Sequence, residues 1–131
     1  MAELFSDDWM QGFMAAWNGE PELSDALAKI GFKSTIGYGF QADDQPKGVI
    51  VIVDGKANHA GAYNGEALDW DLRATPENWA AWMKKPPGMM GLGMAYTSGK
   101  LKFKTGDYAG MVKDPRMAGP FIKSFSVMGR V

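Results

Sequence analysis

The sequence predicts an α+β fold in which helices cover a five-stranded, largely antiparallel sheet. Apolar residues recur at helical spacing near the N-terminus, alternate with polar residues in short runs between residues 34 and 74, and return to helical spacing after Thr75. Turn-forming residues separate the alternating runs, as is typical of hairpin-linked strands. The chain has 131 residues and no linker-like stretch, so residues 1–131 are predicted to form one domain.

The first helix is predicted within the segment FSDDWMQGFMAAW. Ser6 precedes two acidic residues, and a serine in this position caps a helix by accepting a backbone N–H. Trp9, Phe13 and Trp17 fall four residues apart, which predicts a buried stripe along one helix face. An Asn-Gly-Glu-Pro turn ends the helix, and a shorter helical piece is expected before Gly31.

Three strands are predicted next, joined by tight turns. Residues 34–41 alternate, and residues 48–53 read GVIVIV, a continuous apolar run that suits a central strand covered on both faces. Asp54-Gly55 and Asn64-Gly65 are hairpin signals, with a third strand at residues 57–63 between them. These turns predict that the strands run on into a fourth as an antiparallel meander.

The fourth strand, residues 67–74, alternates cleanly. Its even-numbered residues are predicted to face the core: Leu68, Trp70, Leu72 and Ala74. Asp69, Asp71 and Arg73 are predicted to face outward. Two carboxylates on one strand face could serve a divalent ion or a glycosidase, but the neighbouring arginine makes a solvated row of ion pairs the simpler interpretation.

A second main helix is predicted after Thr75, with Thr75 as its cap and Pro76 at its first position. Its apolar side carries Trp79, Trp82 and Met83, and it ends before a Pro-Pro pair.

Residues 88–94 are predicted to be an irregular stretch in which methionines alternate with glycines. A fifth strand follows at residues 100–104, with Leu101 and Phe103 inward and three lysines outward. Methionine adapts to irregular apolar shapes, so this stretch could line a ligand site or simply fill a core. The lysines likewise suit a solvated sheet face or a cationic rim for an anionic group.

The C-terminal part is predicted to be helical. Gly106-Asp107 opens a short helix that Asp114-Pro115 interrupts, and a last helix is expected from Pro120. That helix carries four apolar residues at helical spacing, Phe121, Ile122, Phe125 and Met128.

The charges are unevenly divided along the chain. Residues 1–70 contain eleven acidic and four basic residues, whereas residues 71–131 contain four acidic and ten basic. A domain divided in this way has a basic end suited to an anionic ligand or, at most, to transient contact with a membrane surface. The lysines are not interleaved with the aromatic and Gly-rich signatures of nucleic-acid binders, so no nucleic-acid partner is predicted.

Residues suited to catalysis are few. The chain has no cysteine and one histidine, His59, which excludes a disulfide framework, a thiolate nucleophile and a cysteine-based zinc site. His59 has no serine or aspartate partner in a nucleophile context, so no catalytic residue, metal or cofactor is predicted. The acidic N-terminus does not resemble a signal peptide, no apolar run reaches the ~20 residues of a membrane span, and a cytoplasmic location is expected.

Residues Asp69 to Lys104, with the Gly-Asp pair that follows, resemble the core of the sterol carrier protein 2 (SCP-2) domain family. The resemblance rests on an alternating strand, a helix start with Thr75, Glu77 and Trp79, an apolar stretch, and a G-K-L-K-F-K strand. The order of elements agrees over nearly the whole chain. The Trp-rich N-terminal helix and the long, Gly-Pro-interrupted C-terminal segment depart from the better-known members.

The resemblance implies a sheet and helices that enclose an apolar tunnel for a fatty acid, an acyl-CoA, a sterol-like molecule or another hydrophobic metabolite. We therefore predict a non-enzymatic lipid carrier, or alternatively an accessory subunit that docks on an enzyme and presents or shields its substrate. The C-terminal helix, marked by Pro115, Gly119 and Pro120, is the predicted lid. The predicted ligand-binding residues are Trp82, Met83, Met89, Met90, Leu92, Met94, Leu101, Phe103, Phe121, Ile122, Phe125 and Met128.

Overall fold

The computed structural model describes residues 3–131, which form a five-stranded sheet and six helices. The strands lie in the order β3-β2-β1-β4-β5. In chain order the elements are α1 (Asp7–Asn18), α2 (Ser24–Ala28), β1 (Ser34–Phe40), β2 (Gly48–Val53), β3 (Lys56–Ala62), β4 (Trp70–Ala74), α3 (Pro76–Lys84), α4 (Met89–Thr97), β5 (Lys102–Thr105), α5 (Tyr108–Val112) and α6 (Pro115–Met128).

The sheet is mostly antiparallel, and the predicted α+β fold class is confirmed. β1, β2 and β3 form an antiparallel meander, and β4 pairs antiparallel with β5. The predicted fourth step of the meander is wrong, because β4 lies beside β1 and runs parallel to it, with Ile36 opposite Trp70. Gly65 does adopt a turn conformation, with φ of +86°, but its turn leads the chain away from β3 and across to β1.

The outer edge of β3 is occupied by α1, which explains why β4 cannot pair there. The Asn18 side chain forms two hydrogen bonds with the backbone of Ala57, both 2.8 Å long, as a neighbouring strand would. The Asp7 carboxylate accepts the N–H of Ala62 at 3.1 Å. Side chains of a helix thus satisfy an exposed strand edge, which otherwise invites pairing with another chain.

The predicted starts of α1 and α3 are confirmed. The Ser6 hydroxyl accepts the N–H of Trp9 at 3.3 Å, and the Thr75 hydroxyl accepts the N–H of Asn78 at 3.1 Å. The tryptophan one turn into α3, Trp79, is fully buried and donates its indole N–H to the carbonyl of Gly39 at 2.9 Å. Its ring joins an aromatic cluster with Phe5 on the helix-covered side of the sheet.

The solvated row of ion pairs predicted on the outer face of β4 is wrong at two of its three positions, where the side chains are buried. Asp71 and Arg73 are 6% and 1% exposed and form a bidentate ion pair, with N–O distances of 2.7 and 3.1 Å. The loop between β1 and β2 covers this face of the sheet, and Arg73 also donates to the carbonyl of Asp43 in that loop at 2.8 Å. Asp69, just before the strand, is exposed as predicted.

Two predictions for the second half of the chain are also corrected. Residues 89–97 form the regular helix α4, where an irregular stretch was expected. The last helix starts at Pro115 and not at Pro120, because the Asp114 side chain caps it by accepting the N–H of Arg116 at 2.9 Å. A cap followed by proline at the first position is a strong start signal, and the helix continues through the buried Pro120.

Candidate functional site

A cavity lies between the sheet and the helices from both ends of the chain. The volume of this cavity is about 50 Å³. The first helices, with the loop that follows them, contribute Trp17, Leu23, Leu27 and Phe32; the strands contribute Ile36, Tyr38, Trp70 and Leu72; and the C-terminal helices contribute Met111, Met117, Phe121 and Ser124. The walls are therefore almost wholly apolar.

The floor of the cavity depends on the parallel pairing of β1 with β4. Alternate residues of a strand point to the same face, so Ile36 and Tyr38 share one side of β1. Their partners in register are Trp70 and Leu72 on β4. The four side chains form a contiguous apolar surface at the centre of the sheet because these two strands are neighbours.

The opposite wall is supplied by α5 and α6. Met111 lies on the short helix α5, and Met117 and Phe121 lie on the first turns of α6. Asp114 caps α6 at the break between the two helices. This wall therefore consists of two helices joined by two non-helical residues, Lys113 and Asp114.

Charged residues attach α6 to the loop between α1 and α2. The guanidinium group of Arg130 lies 2.7 Å from the Glu20 carboxylate, and the Lys123 ammonium lies 2.9 Å from Glu22. The hydrogen bond from Arg130 is the main reason that the pKa of Glu20 is lowered from its usual value. We call these four residues, Glu20, Glu22, Lys123 and Arg130, the clasp. The loop that they hold lies between Trp17 and Leu23, which both line the cavity.

The cavity lining includes two hydroxyl groups, besides the indole N–H groups of Trp17, which donates to the carbonyl of Gly55 at 2.9 Å, and of Trp70. Ser124 is buried and donates its hydroxyl to the carbonyl of Phe121 within the same helix. Tyr38 is 2% exposed, and its hydroxyl makes no hydrogen bond within residues 3–131. The Tyr38 side chain is one of the residues that line the cavity.

Burial raises the pKa of Tyr38, so its hydroxyl stays protonated at physiological pH. Among residues 3–131, no Asp, Glu, Lys, Arg or His lines the cavity. The site can therefore offer an apolar surface and one neutral group that donates or accepts a hydrogen bond.

Among the predicted ligand-binding residues, only Phe121 lines the cavity. The others lie in three further environments. Fully buried core positions are held by Leu92, Leu101, Phe125 and Met128. Partly buried positions against that core are held by Trp82, Met83, Phe103 and Ile122. Met89, Met90 and Met94 lie on the surface and are 45%, 81% and 67% exposed.

The other cavity residues were missed because they are contributed by elements far apart in sequence. The alternation in β1 marked Ile36 and Tyr38 as core residues, but an antiparallel meander would have placed β4 beside β3. The N-terminal helix face was correctly identified as buried, and Trp17 is its contribution to the cavity. No local signal showed that Met111 and Met117 would lie opposite the sheet.

The predicted cationic group and the lone histidine lie outside the cavity. Lys100, Lys102 and Lys104 are exposed at the β5 edge of the sheet, as expected for outward-facing residues. His59 is exposed on β3. Within residues 3–131 there is no cluster of three or more side chains suited to a metal ion, and no helix is long and apolar enough to cross a bilayer.

Comparison with known proteins finds similarity at the level of structure. No protein-family model matches the sequence, and a search of curated proteins finds no relative. A crystal structure of sterol carrier protein 2 is 21% identical, with a TM-score of 0.78 over 98% of this chain and 99% of that one. The solution structure of a conserved hypothetical protein from Thermus thermophilus, described as possibly a sterol carrier protein, is 20% identical, with a TM-score of 0.67 over 96% and 90%.

A third solved structure, the ubiquinone synthesis protein UbiJ-SCP2, is 10% identical, with a TM-score of 0.56 over 91% of this chain and 90% of that one. Each match spans almost the full length of both chains, so the likeness includes the order of all the main elements. The predicted SCP-2-like fold is confirmed.

Proposed function

We propose that this SCP-2-like domain binds a hydrophobic molecule between its sheet and its C-terminal helices and carries it without changing it chemically. The observation that carries the proposal is the apolar cavity with the Tyr38 hydroxyl, which makes no hydrogen bond within residues 3–131, at its wall. The name of the sterol carrier protein that shares the fold is in keeping with this role. Within residues 3–131, the cavity is lined by no Asp, Glu, Lys, Arg or His side chain that could act as an acid or base, which favours carriage over acid-base catalysis.

Burial of apolar surface would supply the affinity. A ligand that loses about 400 Å² of apolar surface gains roughly 10 kcal/mol at 25 cal/mol per Å². The loss of translational freedom offsets several kcal/mol of this gain, which leaves affinities in the micromolar range. No covalent chemistry is needed for binding of this strength.

The cavity must enlarge to accept such a ligand. Its volume of about 50 Å³ holds only a fragment of a molecule, whereas ligand pockets usually measure about 300–1,000 Å³. We infer that α6 moves away from the sheet, because it forms one wall and is separated from α5 by a short non-helical break at Asp114. The ion pairs of the clasp would hold α6 in its closed position against the sheet.

The lining also restricts the chemistry of the ligand's polar end. A charged head buried here would have no partner of opposite charge, and burying an unpaired charge is costly. Tyr38 instead suits an uncharged hydroxyl or carbonyl group, as found in sterol-like molecules and fatty alcohols. The head of a fatty acid or acyl-CoA would have to remain outside the cavity.

The proposal is tested by titration with a fluorescent fatty alcohol, after native mass spectrometry of the purified protein for a retained ligand. Met117→Trp fills the cavity from the α6 side and is expected to lower the affinity at least about tenfold. Ala109→Trp, a large change at an exposed position on α5, is the matched control and should bind normally. Tyr38→Phe should weaken a fatty alcohol severalfold while leaving a plain hydrocarbon chain unaffected.

Two results would contradict the proposal. If Met117→Trp binds as the unmodified protein does while Met90→Asp abolishes binding, the ligand lies on the α4 surface that the Met-rich sequence suggested. A protein that binds neither fatty alcohol nor fatty acid under any of these conditions is not a carrier of this kind.

An accessory role on an enzyme is the second candidate. It is favoured by the likeness to UbiJ-SCP2, whose name associates it with ubiquinone synthesis. A stable heteromeric mass in native mass spectrometry, together with ligand binding, would identify the domain as a subunit that presents its ligand to a partner.

A further inference from the structure

The exposed apolar surface of this chain is concentrated on one helix. Five large hydrophobic side chains of residues 3–131 are exposed, and four of them lie on α4: Met89, Met90, Met94 and Tyr96. The fifth is the terminal Val131. Single exposed apolar residues are ordinary, but a contiguous group on one element marks an interaction surface.

The helix is apolar on both its inner and outer sides. Leu92 and Ala95 are 1% and 4% exposed and attach the helix to the core, while Met90 and Met94, four residues apart, project from the opposite side. No charged residue occurs within residues 89–97. A helix with this composition is usually covered on every side.

Two contacts attach α4 to neighbouring parts of the domain. The ring of Tyr96 stacks on Tyr108 with centroids 4.1 Å apart, and the N–H of Leu101 donates to the carbonyl of Ala95 at 3.1 Å. The methionines therefore lie on a helix that is packed against the body of the domain.

The chain on either side of α4 is purely basic. Residues 78–106 contain no Asp or Glu, although they include five lysines: Lys84, Lys85, Lys100, Lys102 and Lys104. All five are exposed, and none forms an ion pair within residues 3–131. Two precede the helix and three follow it, so positive charge lies at both ends of the apolar surface.

We propose that α4 docks on the surface of an anionic lipid bilayer, with Met90 and Met94 inserted at the level of the headgroups. An apolar helix face with flanking lysines is the arrangement by which helices lie in a membrane interface, since the methionines leave water and the lysines meet lipid phosphates. Charge complementarity favours this occupant, because the five lysines that flank the helix have no acidic partner within residues 3–131 and can meet anionic headgroups.

This surface is separate from the ligand cavity. None of the residues of α4 lines the cavity, which is bordered by α1, α2, α5 and α6. The docking proposal therefore goes beyond the proposed carrier function, and it is tested without any ligand.

The experiment is sedimentation of the full chain with vesicles of phosphatidylcholine, with and without phosphatidylserine. Binding is expected only to the anionic vesicles and should weaken in high salt. Met90→Gln with Met94→Gln keeps the charge and should reduce the vesicle partition coefficient about tenfold. Replacing Lys84, Lys85 and Lys100 by glutamine should reduce it by roughly a hundredfold, at about fivefold for each lysine.

The matched control replaces three exposed lysines elsewhere, Lys29, Lys33 and Lys113, by glutamine. It changes the net charge equally, so an equal loss of binding would show non-specific attraction and overturn the proposal. Absence of binding to anionic vesicles would also overturn it. If the methionine pair instead converts a dimer into a monomer in sedimentation equilibrium, α4 is an interface between two copies of the chain.

Discussion

Replacement of Asp71 by asparagine tests how much the domain depends on a buried ion pair. The carboxylate receives two hydrogen bonds from Arg73, at 2.7 and 3.1 Å, and the two side chains are 9% and 1% exposed. Asparagine keeps the shape but removes the charge, which leaves a buried guanidinium group without its counter-ion. Breaking a buried pair from one side costs about 3–5 kcal/mol of unfolding free energy.

The expected loss is at the lower end of that range, about 3 kcal/mol. Arg73 keeps two other acceptors, the carbonyls of Asp43 and Phe40 at 2.8 and 3.3 Å, so part of its hydrogen bonding survives. With a urea m-value of roughly 2 kcal/mol per molar, the unfolding midpoint should fall by about 1.5 M. Tryptophan fluorescence in a urea titration measures it directly.

An exposed ion pair in the same protein provides the control. Asp25 lies 3.1 Å from Lys56, and the two side chains are 61% and 54% exposed. Exposed pairs contribute about 0–1 kcal/mol, so Asp25→Asn should shift the midpoint by less than about 0.5 M. If Asp71→Asn costs no more than Asp25→Asn, the pair is solvated and the inference from its burial is wrong.

Two further predictions concern the clasp and a close backbone contact. Because the pKa of Glu20 is lowered in the folded protein, the clasp is complete above pH 4.5, the usual pKa of a glutamate, and weakens as the pH falls below that value. Acid, or Arg130→Gln at neutral pH, should therefore speed ligand release up to about fivefold in a stopped-flow displacement experiment. An unchanged release rate would show that the clasp does not hold α6. Gly55 has φ of +81°, and a Cβ there would lie 2.2 Å from the nitrogen of Ala28, whereas a Cβ on Gly31, with φ of +61°, would meet nothing within 4 Å among residues 3–131 beyond its chain neighbours. Both Gly→Ala changes incur about 1–2 kcal/mol of backbone strain, and only Gly55→Ala should lose clearly more stability in urea; equal losses would show that the contact relaxes freely.

Much of the local structure could be read from the sequence because it depends on neighbouring residues. The caps at Ser6 and Thr75 form as predicted, and the strand of residues 48–53 has the predicted bounds. A capping hydroxyl reaches a backbone N–H only three positions along the chain, so the residues that form it are close in sequence.

The Met-rich segment shows where local reasoning fails. Glycine and methionine alternate in residues 88–94, and glycine weakens helices, which favoured an irregular wall for a ligand. The core contacts of Leu92 and Ala95 override this preference and form a helix. The same contacts turn Met90 and Met94 toward solvent, which no local pattern could specify.

By itself, the sequence determined the fold class, the starts of α1 and α3, the buried stripe of α1 and the basic character of the second half. Only the tertiary structure decided the position of β4, the burial of Asp71 and Arg73, and therefore the location of the cavity. The physical reason is that α1 satisfies the free edge of β3 through Asn18, so β4 must pair with β1 instead. That one exchange of partners places Trp70 and Leu72 beside Ile36 and Tyr38, and so forms the cavity floor.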